Sequence, residues 1–181
     1  MGITGYNQEE SQDVCFLAGQ SVNSSLKKYG VSDRPGDIVS TDNRVLGSHK
    51  GLFNYTIGQR RGLALPDDSP WYVKALDSKN NRVIVGKSDE LFSSSLILED
   101  AQWTGQEKGL PLRCKVQLRS RQQPEPAQIK ENNRERSWTI VFDKPQRAIT
   151  PGQFAVLYEG DQVLGSGVIS IPAAITDGVD K

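Results

Sequence analysis

Apolar residues in this chain come in short runs separated by polar, glycine- and proline-bearing turns. The clearest pattern is at residues 112–118. Leu112, Cys114, Val116 and Leu118 alternate with Arg113, Lys115 and Gln117. A period of two predicts a half-buried β-strand with a basic outer face. Residues 71–76 and 82–86 read as two strands joined by the hairpin turn Asp77-Ser78-Lys79-Asn80-Asn81. Residues 127–130 pair with residues 137–142 across the polar turn 131–136, and residues 148–153 lead into a strand over 154–158. Glu159-Gly160-Asp161-Gln162 is a tight turn before a last strand over 163–171. Nearer the start, Arg34-Pro35-Gly36-Asp37 is a turn, Ile38-Val39 begins a strand, and residues 52–57 form a strand-like run that ends at Gly58. One segment, residues 21–29, reads as a brief helix. Ser21 or Asn23 caps it, Lys27 and Lys28 sit in its last turn, and Gly30 ends it.

Short strands with frequent turns predict a mainly β protein: two small β-barrel-like domains in tandem with one short N-terminal helix. The expected division is a segment over residues 1–30, a central small β domain over 31–94, a C-terminal β-barrel over 95–172 and a frayed tail over 173–181. The boundary near Ser94 rests on the serine run Ser93-Ser94-Ser95 between two strand-rich regions.

Composition adds limits to this picture. The chain has 181 residues, 36% of them hydrophobic, and a mean hydropathy of −0.51, which suits small units with modest cores. Lys and Arg total 22, as do Asp and Glu, so no global field draws nucleic acid, and any such binding must come from local patches. Such a patch exists: Lys108, Arg113, Lys115, Arg119 and Arg121 fall in a stretch without an acidic residue. Two cysteines, Cys15 and Cys114, do not make a disulfide scaffold, and a reducing cytoplasm is the simpler expectation. No apolar run approaches the roughly 20 residues that span a bilayer, so no membrane is expected as a partner. The first residues lack the basic and apolar regions of a secretory signal, and Tyr6 stands where a myristoylation signal needs Ser or Thr.

Three features are candidates for chemistry or binding. Cys15, in Asp13-Val14-Cys15-Phe16, is either a buried thiol or a reactive one placed shortly before a helix. Cys114 falls on the apolar side of its alternating strand and reads as core. In residues 49–62, Gly58 and Gly62 flank Gln59-Arg60-Arg61. Two arginines on a glycine turn suit a phosphate or an RNA backbone, and equally a solvated hairpin tip. The face carrying Arg113, Lys115, Arg119 and Arg121 suits RNA phosphates, or is an ordinary solvated sheet face. A single histidine, His49, reads as a turn residue. It offers no serine–histidine–carboxylate arrangement, and with two distant cysteines it gives no metal-ligand spacing; no metal site is expected. Gly165-Ser166-Gly167 belongs to a strand and lacks the lysine and helix of a phosphate loop.

Several motifs in order carry a family resemblance over about residues 10–171. They are Glu10-Ser11-Gln12-Asp13-Val14-Cys15-Phe16, Tyr55-Thr56-Ile57-Gly58-Gln59-Arg60-Arg61-Gly62, Pro70-Trp71-Tyr72-Val73, Thr150-Pro151-Gly152-Gln153 and Leu164-Gly165-Ser166-Gly167. The chain resembles the tRNA-specific 2-thiouridylases, which put sulfur on C2 of the wobble uridine of certain tRNAs. The resemblance implies a nucleotide-binding N-terminal domain that adenylates the uridine with ATP and Mg²⁺. A persulfide-carrying cysteine delivers sulfur, and a second cysteine of the N-terminal domain completes the transfer. Elongation-factor-like β domains hold the tRNA. Cys15 matches the persulfide cysteine, whose thiolate accepts sulfane sulfur. Arg119 and Ser120 match an Arg–aromatic pair that contacts tRNA, with Ser120 departing from the usual tyrosine; Gln153 matches another tRNA-contacting position. Arg60 and Arg61 remain candidate phosphate contacts. The family's phosphate loop and second cysteine do not occur here. The expectation is therefore the central and C-terminal part of the enzyme, inactive alone, with ATP and Mg²⁺ bound by a separate N-terminal domain. The expected partners are tRNA, that domain and a sulfur donor such as a cysteine desulfurase or a sulfur relay protein. The rival expectation is a stand-alone RNA-binding β-barrel module without catalytic activity.

Overall fold

The computed structural model describes residues 28–29, 34–66 and 69–170. Cys15, the tail and all of the predicted N-terminal helix except Lys28 and Tyr29 lie outside the described residues.

Among the described residues, ten strands build a mainly β architecture. β1 (Gly36–Ser40), β2 (Val45–His49), β3 (Tyr72–Asp77) and β4 (Arg82–Gly86) form a four-stranded sheet in the order β2-β1-β4-β3. β5 (Phe92–Trp103), β6 (Leu112–Gln117), β7 (Glu125–Glu131), β8 (Trp138–Arg147), β9 (Phe154–Glu159) and β10 (Gln162–Ser170) close into a six-stranded barrel in the order β10-β5-β8-β7-β6-β9. Closure removes the free edges that an open sheet exposes.

In the sheet, β1 runs antiparallel to β2 and parallel to β4, while β3 and β4 make the predicted hairpin. Ile38, Leu63, Val73, Val83 and Val85 form its core. Residues 52–57 are not a strand. Leu52–Asn54 is a 3-10 turn, and Leu52, Tyr55 and Ile57 pack against the sheet core. The run is apolar because it covers a sheet face, not because it adds a strand to the sheet. His49 is not a turn residue either. It ends β2 with 2% exposure, its Nε2 lies 3.0 Å from the Asn81 carbonyl, and its ring meets Tyr55 edge-on. Gly36 makes that approach possible, since a Cβ there would sit 2.1 Å from Asn81 O.

In the barrel, the alternation of residues 112–118 is realised: Val116 and Leu118 are buried, while Arg113 and Lys115 are exposed. β7 and β8 pair with Ile129 opposite Ile140. Ser93, Ser94 and Ser95 are not a spacer; they lie inside β5, where Phe92 faces Arg147 and Ser93 faces Gln146 across the ladder to β8. β5 changes inward parity at Asp100 (φ 50), so Leu96, Leu98 and then Ala101 all reach the core. Gly165 and Gly167 let β10 lie close to β5, since a Cβ on Gly165 would stand 2.5 Å from Gln102 O.

Candidate nucleic-acid interface

Arg119 follows β6 at the rim of the barrel. Its Nη2 donates to the Ala148 carbonyl at 2.6 Å, and Thr150 Oγ1 donates to the same oxygen at 3.0 Å. Ala148 itself is fixed from the other side: it is buried in a left-handed conformation (φ 53), and its N–H donates to Leu91 O at 2.8 Å. Arg119 is thereby held by a neutral group, and its charge stays directed at the surface. Residues 150–153 form a turn through Gly152 (φ 82) whose C-terminal end is pinned to Ile169 of β10 by two backbone bonds. Gly152 N donates to Ile169 O at 2.9 Å and Ile169 N to Gln153 O at 2.7 Å. This leaves Gln153 exposed on a fixed backbone. Ser120 is exposed beside Arg119, and its carbonyl accepts from Gln117 Nε2 at 3.2 Å.

A chain of amides stiffens this rim. Tyr158 OH donates to Gln117 Oε1 at 3.1 Å, and Gln117 Nε2 donates to Gln122 O at 2.8 Å. Gln122 Nε2 donates to Gln146 Oε1 at 2.9 Å, and Gln146 Nε2 donates to Lys144 O at 2.9 Å. Satisfied polar networks of this kind hold a loop in one arrangement. The structure therefore brings Arg119, Ser120 and the 150–153 turn together through Ala148.

Arg60 and Arg61 stand on a separate loop of the sheet unit. Both are exposed, between Gly58 (φ 86) and Gly62 (φ 80). Gln59 staples the loop: its Oε1 accepts from Thr56 N at 2.9 Å and its Nε2 donates to Arg61 O at 2.8 Å. Gly58 N and Gln59 O bond to the backbone of Val73, tying the loop to β3. Gly58 also approaches the barrel, since a Cβ there would lie 3.0 Å from Ala148 Cβ. The glycine turn thus abuts the residue that holds Arg119, although no contact joins Arg60 or Arg61 to Arg119 among the described residues.

The outer basic face is less uniform than its sequence pattern. Arg113 pairs with Asp143 at 2.5 Å, which neutralises it. Lys115 is exposed on β6. Sequence reasoning missed Lys144, Arg147 and Phe92, which come from β8 and β5 and share a groove with Arg119. Only the pairing of β5 with β8 juxtaposes them, so no local signal marks them.

A second concavity lies between sheet and barrel, with a volume of about 310 Å³ and Thr41, Lys74, Glu90, Phe92, Ser95 and Ile149 on its walls. Burial pushes the Glu90 carboxyl up, but the Lys87 N–H, the Thr41 hydroxyl and the Lys74 ammonium outweigh it and hold Glu90 below the usual value. Cys114 is pushed up to about 11, first by burial and further by Glu159, against the Tyr158 backbone and Arg113. That thiol packs against the barrel core, as its alternating position predicts.

Sequence comparison matches both units. A family described as the tRNA methyl transferase PRC-barrel domain matches residues 23–87, and one described as the aminomethyltransferase beta-barrel domain matches residues 93–169. The chain is 46% identical over 172 residues to the tRNA-specific 2-thiouridylase MnmA of Desulfotalea psychrophila, covering 93% of this chain and 49% of that protein. It is 42% identical over 172 residues to the enzyme of the same name from Trichormus variabilis, covering 93% and 48%. The chain belongs to the tRNA-specific 2-thiouridylase family. It spans about half the length of the curated relatives it matches. Within this member of the family, the two matched regions contain the sheet of β1–β4 and most of the barrel of β5–β10.

Proposed function

We propose that this chain is the sulfur-delivering and tRNA-holding portion of a cytoplasmic tRNA 2-thiouridylase. Similarity to 2-thiouridylases over 93% of the chain carries this reading. In it, Cys15 accepts sulfane sulfur as a persulfide, whose terminal sulfur attacks C2 of the activated wobble uridine and expels the adenylate. The thiolate of the second cysteine then attacks the Cys15 sulfur, breaking the S–S bond, releasing 2-thiouridine and leaving a disulfide between the two cysteines. Arg119, Ser120 and Gln153 contact tRNA from one rim of the barrel, with Arg119 anchored on the Ala148 carbonyl and the Gln153 backbone on β10. Ser120 offers a hydroxyl to phosphate or ribose in place of an aromatic ring. Arg60 and Arg61 add phosphate contacts from the sheet unit.

Activation of the uridine needs ATP and Mg²⁺, which supply an adenylate leaving group. Among the described residues no three His, Cys, Asp or Glu side chains converge to hold a metal, and the sequence has no phosphate loop. We assign that step to a nucleotide-binding domain outside this sequence, which also brings the second cysteine. A cysteine desulfurase or a sulfur relay protein charges Cys15. The test is Cys15→Ser in the full-length enzyme. Thiolation of tRNA is expected to disappear while tRNA affinity stays within about twofold, since a Ser for Cys exchange removes only the nucleophile. Unchanged thiolation would return Cys15 to a packing role.

A further inference from the structure

We propose that the groove on the barrel lined by Phe92, Arg119, Arg121, Lys144 and Arg147 seats a run of the tRNA phosphodiester backbone, with Lys144 and Arg147 as phosphate contacts. This rests on the tRNA-binding reading above and extends it to residues that no family motif in the sequence marks.

The charge pattern carries the proposal. Outside the groove, three barrel cations are paired with carboxylates: Lys108 with Glu159, Arg113 with Asp143 and Arg134 with Glu99. In the groove, Arg119 and Arg147 are held by neutral partners. Arg119 donates to the Ala148 carbonyl, and the Arg147 guanidinium lies 5.1 Å from the Tyr72 ring centroid. Neither contact cancels the charge, yet both hold the cation in place. No ion pair engages Lys144 among the described residues. Against these cations the groove wall carries one carboxylate, Glu125.

The shape agrees. The groove is open, with a volume of about 530 Å³, too large for one small anion and suited to a chain of phosphates. Its two walls, residues 119–122 and 144–147, are cross-linked by the bond from Gln122 Nε2 to Gln146 Oε1, and Gln146 is buried. A width fixed before binding reduces the ordering cost of association. Phe92, 49% exposed, adds an aromatic surface for a base or ribose beside the phosphates. Tyr72 comes from the sheet and Arg147 from the barrel, so backbone seated here spans the junction of the two units.

The experiment measures binding of an unmodified tRNA transcript to this chain by filter retention, between low and moderate salt. Lys144→Gln and Arg147→Gln are each expected to weaken binding several-fold at low salt and to flatten the slope of log affinity against log salt by about 0.7 to 1. Arg147→Lys keeps the charge and is expected to keep the slope, which separates lost charge from lost packing on Tyr72. Arg134→Gln, whose parent charge is already paired, is expected to leave affinity and slope unchanged. Wild-type affinity and slope in both glutamine variants overturn the groove and leave the wider tRNA-binding reading standing. Weakened binding with an unaltered slope also overturns it, because a lost phosphate contact must change counterion release. If the unaltered chain does not bind tRNA at any salt, both readings fall together.

Discussion

At the residue scale, the chemistry of Cys114 is set by its place on the barrel wall. Cys114 faces the barrel core, and burial raises its thiol to about 11. At pH 8 its thiolate fraction is about one in a thousand. Iodoacetamide at that pH is expected to leave Cys114 unlabelled in the folded chain and to modify it after denaturation, as read by peptide mass spectrometry. The sign for stability follows: the unfolded thiol loses its proton before the folded one, so this residue favours unfolding as pH climbs from about 9 toward 11. Glycine is the other residue whose role is decided by distance. Gly165→Ala would drive a methyl to 2.5 Å from the Gln102 carbonyl, a backbone atom with no freedom to yield. A loss of about 1–3 kcal/mol is expected in urea denaturation, as for other overpacked sites. The need for glycine at 165 was not legible in sequence, where Leu164-Gly165-Ser166-Gly167 shows only a family pattern; the reason lies in the approach of β10 to β5.

At the element scale, strands with one wet face were legible and segments with unusual partners were not. Residues 112–118 alternate because one side of β6 meets the core and the other meets water, so periodicity reports burial directly. Residues 52–57 are apolar without being a strand, because Leu52, Tyr55 and Ile57 lie on the face of the sheet. Serines 93–95 look like a linker, yet they extend β5, and their ladder to β8 supplies the hydrogen bonds that a polar, unpatterned run cannot advertise. The turn over Asp89–Leu91, just before β5, is clipped by Glu90, which accepts from Lys87 N at 2.8 Å and faces Lys74 at 3.5 Å. Its carboxyl is held below the usual value, so the stabilisation it gives is present above the unfolded glutamate pKa of 4.5 and is lost as pH falls through the lower folded value. Glu90→Gln is expected to lower the melting temperature by a few degrees at pH 7. The difference should vanish well below pH 4. An equal loss at both pH values would assign the effect to shape alone.

At the scale of the whole molecule, the chain joins an open sheet to a closed barrel, and the residues proposed to contact tRNA gather where they meet. Gly58 abuts Ala148, Ala148 holds Arg119, and Arg147 stacks on Tyr72. Among the described residues no helix is long and apolar enough to cross a membrane. This chain by itself is expected to form no 2-thiouridine on tRNA when supplied with ATP, Mg²⁺ and a persulfide donor. Mass spectrometry of digested tRNA checks this, and product formation would place the activating step within the 181 residues.

The sequence by itself determined the β class, most strand positions, the core-facing side of Cys114 and the family, because each is written in local periodicity or in contiguous motifs. Arg119, Ser120 and Gln153 were nameable from motifs alone. Tertiary structure alone decided that Arg119 and the 150–153 turn share the Ala148 carbonyl, that His49 is a buried strand residue, and that Lys144, Arg147 and Phe92 line one groove. Those relations join residues tens of positions apart through strand pairing and the closure of the barrel. Hydrogen bonding across strands, and not local composition, determines which side chains become neighbours there.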